Sequence, residues 1–213
     1  MRRSLKKLFV SFLFFSLSVP AFAQEAAAPR YFGIDHGAVE YEVSGAEKGK
    51  ETMYFDRSGL RQAHFKSTET QKWGFTTTVT LNLQEQVIFI DPNKGLGQKT
   101  VNEPLKKLLD DPQSVNNGLL SLQLVALLGG KKTGEENVLT RPCEVWEIPA
   151  TKTKVWLWNG VILRSEVQTA DGLLSYKAVK LDDVTSVDEA VFTIPPSIQF
   201  MDRDITQILI SKR

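Results

Sequence analysis

The first clear alternation along the chain sets Val39, Tyr41 and Val43 against Glu40 and Glu42, the period-2 pattern of a half-buried strand. A polar turn over 45–50 separates it from the β-prone run Thr52 to Phe55. Asp56-Arg57-Ser58-Gly59 predicts a type I turn with glycine in the left-handed position, so the chain reverses into a strand from Leu60 to Thr68. Trp73 to Leu83 and Val87 to Ile90 predict two more strands, and Asp91-Pro92-Asn93 ends the series. The period then changes. Leu105, Leu108 and Leu109 share one helix face, with Pro104 suited to the first turn and Pro112 closing it. Residues 118–128 are apolar in almost every direction around a helix and end on Gly129-Gly130 as a cap. That segment is expected to be buried on several sides, and it is too short to cross a membrane.

Strands are predicted again at Cys143 to Ile148, Lys154 to Trp158 and Val161 to Gln168. Asn159-Gly160 joins the last two as a type I′ hairpin, because both turn positions need positive φ. The register then sets Trp158 against Val161, Leu157 against Ile162 and Trp156 against Leu163. A second hairpin at Asp171-Gly172 sets Ala170 against Leu173 and Glu166 against Lys177. Phe192-Thr-Ile-Pro-Pro196 reads as an extended end, and Ile205, Ile208 and Leu209 incline residues 198–213 to a helix. Both faces of the Asn-Gly hairpin are apolar: Trp156, Trp158, Val161 and Leu163 on one, Val155, Leu157 and Ile162 on the other. A half-solvated sheet would alternate, so each face needs a cover: helices, a partner or a ligand. Strand runs on either side of a helical pair predict an α+β curved antiparallel sheet or half-barrel.

Composition narrows the function. The 213 residues suit one domain, or at most two small ones. Residues 1–23 read as a secretory signal peptide: basic Arg2, Arg3, Lys6 and Lys7, an apolar run from Leu8 to Val19, then Pro20 and the small–x–small site Ala21-Phe22-Ala23. Residues 24–30 read as a flexible leader and 31–213 as the folded domain. Without the first 23 residues the chain carries 22 Lys+Arg against 25 Asp+Glu. A slightly acidic exported chain argues against a nucleic-acid partner, and no permanent membrane span is expected. The periplasm is the expected compartment, or the exterior. The lone Cys143 rules out an internal disulfide and reads as a small buried apolar residue.

Catalytic and cofactor motifs fail on inspection. Gly129-Gly-Lys-Lys-Thr133 lacks the upstream glycine of a phosphate loop. Asp91-Pro-Asn93 begins like a calcium loop but has Leu96 and Asn102 where geometry is strictest. No Gly-x-Ser-x-Gly elbow occurs. His36 and His64 read as structural, and Asp182-Asp183 and Glu135-Glu136 as solvated turns. No metal or cofactor is expected. Trp73, Trp146, Trp156 and Trp158 on strands beside an apolar helix fit a lidded apolar cavity, and equally an ordinary core.

Cys143-Glu-Val-Trp-Glu147, Lys154-Val-Trp-Leu-Trp-Asn-Gly-Val-Ile-Leu-Arg-Ser165 and Val191-Phe-Thr-Ile-Pro-Pro196 complete a layout of signal peptide, strands, helical insertion and strand meander. This resembles exported bacterial proteins of the LolA/LolB/RseB-like lipoprotein-localisation superfamily, in detail over residues 143–196. The resemblance implies a half-barrel with a helical lid, at about 101–130, on its concave face. It also implies a cavity that holds acyl chains. No gating arginine of the carrier members and no partner-docking motif is matched.

The function expected is a non-enzymatic binding protein for an apolar ligand: an acyl chain, a lipid or a lipidated protein. Trp73, Phe75, Phe89, Trp156, Trp158 and Leu163 would line the slot, with Leu119 to Leu128, Leu122 among them, covering it. The alternative is an envelope structural or regulatory protein that binds a protein partner, its sheet filled by its own helices.

Overall fold

The computed structural model describes residues 28–116 and 118–201. The expected signal peptide, most of the leader, and the C-terminal segment from residue 202 lie outside the described residues.

Six strands form the first meander: β1 (Gly37–Gly45), β2 (Lys48–Asp56), β3 (Arg61–Thr70), β4 (Gly74–Leu83), β5 (Gln86–Asp91) and β6 (Leu96–Val101). Three helices follow, α1 (Glu103–Asp110), α2 (Pro112–Asn116) and α3 (Leu120–Leu127). A second meander comprises β7 (Lys131–Val138), β8 (Arg141–Ile148), β9 (Thr153–Trp158), β10 (Val161–Thr169) and β11 (Gly172–Asp182). The two-residue β12 (Gln199–Phe200) closes the order. All belong to one large, curved, unclosed sheet in the order β12-β6-β5-β4-β3-β2-β1-β11-β10-β9-β8-β7. Every pairing is antiparallel except β12 with β6. Register shifts in β1 at Glu40/Tyr41, in β7 at Lys132/Gly134 and in the β9–β10 pair at Ile162/Arg164 add local twist, which helps to curl so wide a sheet.

Topology explains where the helices lie. β6 and β7 are consecutive around the helical insertion, yet they stand near opposite edges of the sheet. The connection must therefore cross the sheet, and α3 crosses its concave face. The α+β half-barrel with a helical lid is thus the observed fold. α1 begins as predicted: the Asn102 side chain accepts from Leu105 N at 3.1 Å, and Pro104 sits in the first turn.

The first meander buries alternate residues. Ala63, Leu81, Ile88 and Ile90 face outward from the groove and are covered by the chain from Val187 to Ile198, with Phe192 at its centre. A second cluster joins Val39, Phe55, Trp156, Val161 and Leu163 with Phe32. There the segment before β1 straps one end shut. Tyr31 N and Phe32 N donate to Ser58 O, and Gly33 N donates to Asn159 O. Leu120 N and Ser121 N donate in turn to Arg30 O and Tyr31 O. One strap thus joins a turn, a hairpin and the start of α3.

Several expectations are corrected. The pattern marks no strand where β6 and β7 lie, and Glu135-Glu136, read as a turn, stand within β7; that strand is polar and exposed almost throughout, so no alternation marks it. The turn at 57–59 is not type I: Arg57, Ser58 and Gly59 all have positive φ. The second hairpin turns at Ala170-Asp171, where Asp171 N donates to Thr169 Oγ1 at 3.2 Å and Thr169 Oγ1 to Gly172 O at 2.7 Å. Gln168 then pairs with Leu173, and Lys177 faces Arg164, not Glu166. Residues 199–200 are strand, not helix. The segment expected to be buried on several sides is enclosed at Leu120, Ser121 and Val125, while Leu127 is 58% exposed.

Candidate functional site

Beneath α3 lies a hollow of about 450 Å³. Leu124, Val125 and Leu128 roof it. Ile148, Val155, Leu157 and Ile162 wall it from the second meander, and Met53 and Tyr41 from the first. Strand parity selects these residues. Val155 pairs with Ser165 and Leu157 with Ile162, so these side chains share the concave face. Leu122 and Val125 pack on Ile148, Val155 and Leu157 to fix α3 there.

The buried polar groups of the wall are mostly satisfied. Tyr41 OH donates to Ile162 O at 2.6 Å. Burial, with Glu51 nearby, raises its phenol far above the ordinary tyrosine value. Burial pushes Tyr31 up to about 12. Ser121 Oγ differs: it is the one buried side-chain polar atom among the described residues that has no hydrogen-bond partner.

The same concave face continues across β3 to β6 as a second, more polar hollow of about 590 Å³, with Leu96 and Met201 also on its wall. Glu51, His64 and Tyr176 wall both spaces. His64 Nδ1 is 2.8 Å from Glu51 Oε1, and its Nε2 is 3.3 Å from Gln62 Oε1. Lys66 Nζ donates to Tyr176 OH at 2.8 Å and pairs with Glu47 Oε2 at 2.6 Å. Burial lowers the Lys66 ammonium, but the bonds to Glu47 and Tyr176 outweigh it, and the net shift is upward. Burial raises Tyr176 against the pull of Lys66.

The expected lining residues are distributed as follows. Phe89 stands on the wall of the polar hollow. Leu119 lies just before α3, near the Gly160 turn. Leu122 holds α3 to the sheet. Trp73 and Phe75 lie at the β3–β4 turn, 71% and 69% exposed. Trp156 and Leu163 are buried in the cluster with Val39 and Phe55, and Trp158 packs against it under Arg141. The Trp156 indole donates to Glu136 Oε2 at 2.9 Å, with the Arg164 guanidinium 4.2 Å from its ring. The hairpin turn and its first two pairs follow the predicted register; the bulge then sets Arg164, not Leu163, against Trp156.

Sequence reasoning names Val155, Leu157 and Ile162 as the other apolar face but does not assign them to the cavity. It gives no sign of Glu51 or Tyr176, and reads His64 only as structural. Spacing alone carries one signal: His64 and Lys66, two apart, break the apolar pattern of a strand. Cys143 is buried, and burial raises its thiol. His36 Nε2 is 3.3 Å from Val184 O.

No protein-family model matches the sequence, and no curated protein does. Among solved structures, an uncharacterized conserved protein from Thermus thermophilus is similar over 79% of this chain and 91% of its own. Its sequence identity is 10% and the TM-score 0.50, a likeness of fold. MucB is similar over 77% of this chain and 58% of its own, at 14% identity and TM-score 0.37. LprF from Mycobacterium bovis is similar over 74% of this chain and 90% of its own, at 8% identity and TM-score 0.35.

Proposed function

We propose that this chain is an exported, non-enzymatic binding protein that holds an apolar ligand, an acyl chain of a lipid or lipoprotein, under α3. The observation that carries the reading is the hollow of about 450 Å³ with aliphatic residues on both roof and wall. Its volume falls within the range of small-molecule sites. Burial supplies the affinity: at about 0.8 kcal/mol per CH₂, a chain of roughly ten carbons gains on the order of 8 kcal/mol before binding costs. The half-barrel fold, the resemblance at 143–196 and the signal-peptide pattern at 1–23 support an envelope location.

The test is native mass spectrometry of the mature protein, purified from its own envelope without detergent. The expected result is a mass above the apo value by an acyl species. Leu124→Trp, which fills the hollow from its roof, removes that adduct while circular dichroism stays unchanged. A clean apo mass that persists after incubation with envelope lipids would overturn the reading in favour of a protein partner.

A further inference from the structure

The polar hollow beside the apolar cavity carries its own chemistry. Its titratable side chains have partners at short range: His64 Nδ1 lies 2.8 Å from Glu51 Oε1, Lys66 Nζ 2.6 Å from Glu47 Oε2 and, at the open rim, Lys94 Nζ 2.8 Å from Asp91 Oδ2. An anionic head would have to draw Lys66 away from Glu47 and Tyr176, and a cationic head would have to draw Glu47 away from Lys66 or Glu51 away from its hydrogen bond with His64. Lys66 and Glu47 form the most enclosed ion pair here, and separating them leaves a charge uncompensated, so an uncharged head is favoured.

The remaining wall is neutral and mixed, with hydrogen-bonding groups set beside Phe89, Leu96 and Met201. Thr78, Thr80 and Asn82 are alternate residues of β4 and share the hollow's face. Thr80 stands between His64 on β3 and Phe89 on β5. Tyr176 OH accepts from Lys66 and keeps its own proton to donate; its raised titration keeps the phenol protonated. Phe89, 46% exposed and paired with Thr80, sets a flat apolar ring beside these groups. A flat ring with hydroxyls at its rim and C–H bonds on its face matches that combination. Since Glu51, His64 and Tyr176 wall both hollows, one molecule can occupy the two together.

We infer that the polar hollow takes the uncharged, hydroxyl-rich head of an amphiphile, sugar-like in chemistry, whose chain lies under α3. The inference rests on the apolar-cavity reading above. It is tested with dodecyl maltoside, dodecylphosphocholine and dodecanoate, which share a chain and differ in the head, each titrated below its micelle-forming concentration. Dodecyl maltoside is expected to bind about tenfold more tightly than the other two, the worth of one or two net hydrogen bonds. Thr80→Val with Phe89→Ala removes that preference while circular dichroism stays unchanged. Thr80→Val alone, which keeps the side-chain shape, gives a partial loss should the double variant unfold. Equal affinities, or a preference for a charged head, would overturn the head assignment and leave the cavity reading standing. No binding of any dodecyl probe would overturn both. Maltoside affinity unchanged in Leu124→Trp would show a head bound without its chain, and would also overturn the inference.

Discussion

Gly160 and Ser121 meet so closely that no methyl group fits between them: a Cβ on Gly160 would overlap Ser121 Oγ and come within 3.3 Å of Leu119 Cδ1 and Tyr31 O. The turn of the β9–β10 hairpin is thus pressed against the start of α3, where the strap at 30–33 also docks. Gly160 carries a second constraint, a φ of +79°. Gly160→Ala therefore combines strain with overlap and is expected to cost about 2–4 kcal/mol. Gly74, with φ +65° and nothing within 4 Å of its would-be Cβ, isolates the strain alone. Gly74→Ala is expected to cost about 1–2 kcal/mol. Urea denaturation of both variants measures the difference; equal costs would mean that α3 yields freely.

Ser121 offers the complementary test. Its buried hydroxyl has no partner, so it bears a desolvation cost with no compensating bond. Ser121→Ala is expected to raise stability by about 0.5–1 kcal/mol. The same change removes the atom that Gly160→Ala would strike. In a double-mutant cycle the two substitutions should couple, with Gly160→Ala costing at least about 0.5 kcal/mol less in the Ser121→Ala background. Strict additivity would place the overlap elsewhere.

The hairpin marks the boundary of what the sequence discloses. Asn159-Gly160 was legible because positive φ at two adjacent positions leaves few residue choices, and the observed φ values of 47° and 79° agree. The helix α3 was legible because a mostly apolar segment closed by Gly129-Gly130 has few alternatives; its place as a lid was implied by the resemblance at 143–196. The cavity face was not. Trp156 and Leu157 are equally apolar, and parity says only that they point oppositely. Which face receives α3 depends on the crossover from β6 to β7, a relation between distant strands. Bulges defeat pattern reading in the same way: the shift at Ile162/Arg164 changes the partner of Trp156 without altering local composition. The polar hollow hid because its members come from distant strands.

The tryptophans separate cleanly by position. Trp156 is 2% exposed, donates to Glu136 and lies under Arg164. Trp156→Ala is expected to cost about 3–5 kcal/mol through the cavity it leaves. Trp73 is largely exposed, with Lys72 Nζ 4.8 Å from its ring centroid. Trp73→Ala is expected to stay within about 0.5 kcal/mol of the parent. Trp73 fluorescence should also be quenched readily by acrylamide, and that of Trp156 protected. A large loss on Trp73→Ala would place that ring in a packed interface.

Arg61 latches the C-terminal cover onto the first meander. Its guanidinium donates to Asp56 Oδ1 at 2.8 Å and to Glu189 Oε2 at 2.7 Å, and lies 4.2 Å from the Phe192 ring centroid. The hydrogen bonds from Arg61 hold the Glu189 carboxyl below the ordinary glutamate range. A carboxyl whose folded value is depressed adds stability above its unfolded value. That stability is lost as pH falls through the folded one. The denaturation midpoint of the parent should therefore exceed that of Glu189→Gln at neutral pH. The gap should close as pH falls through the depressed folded value of Glu189. Hydrogen exchange at Val191 and Thr193, whose amides donate to Asp188 O and Ala190 O, should quicken over the same acid window in the parent. A gap between parent and variant that stays constant across the whole range would assign the latch to packing of Arg61 on Phe192, with the Glu189 charge contributing nothing.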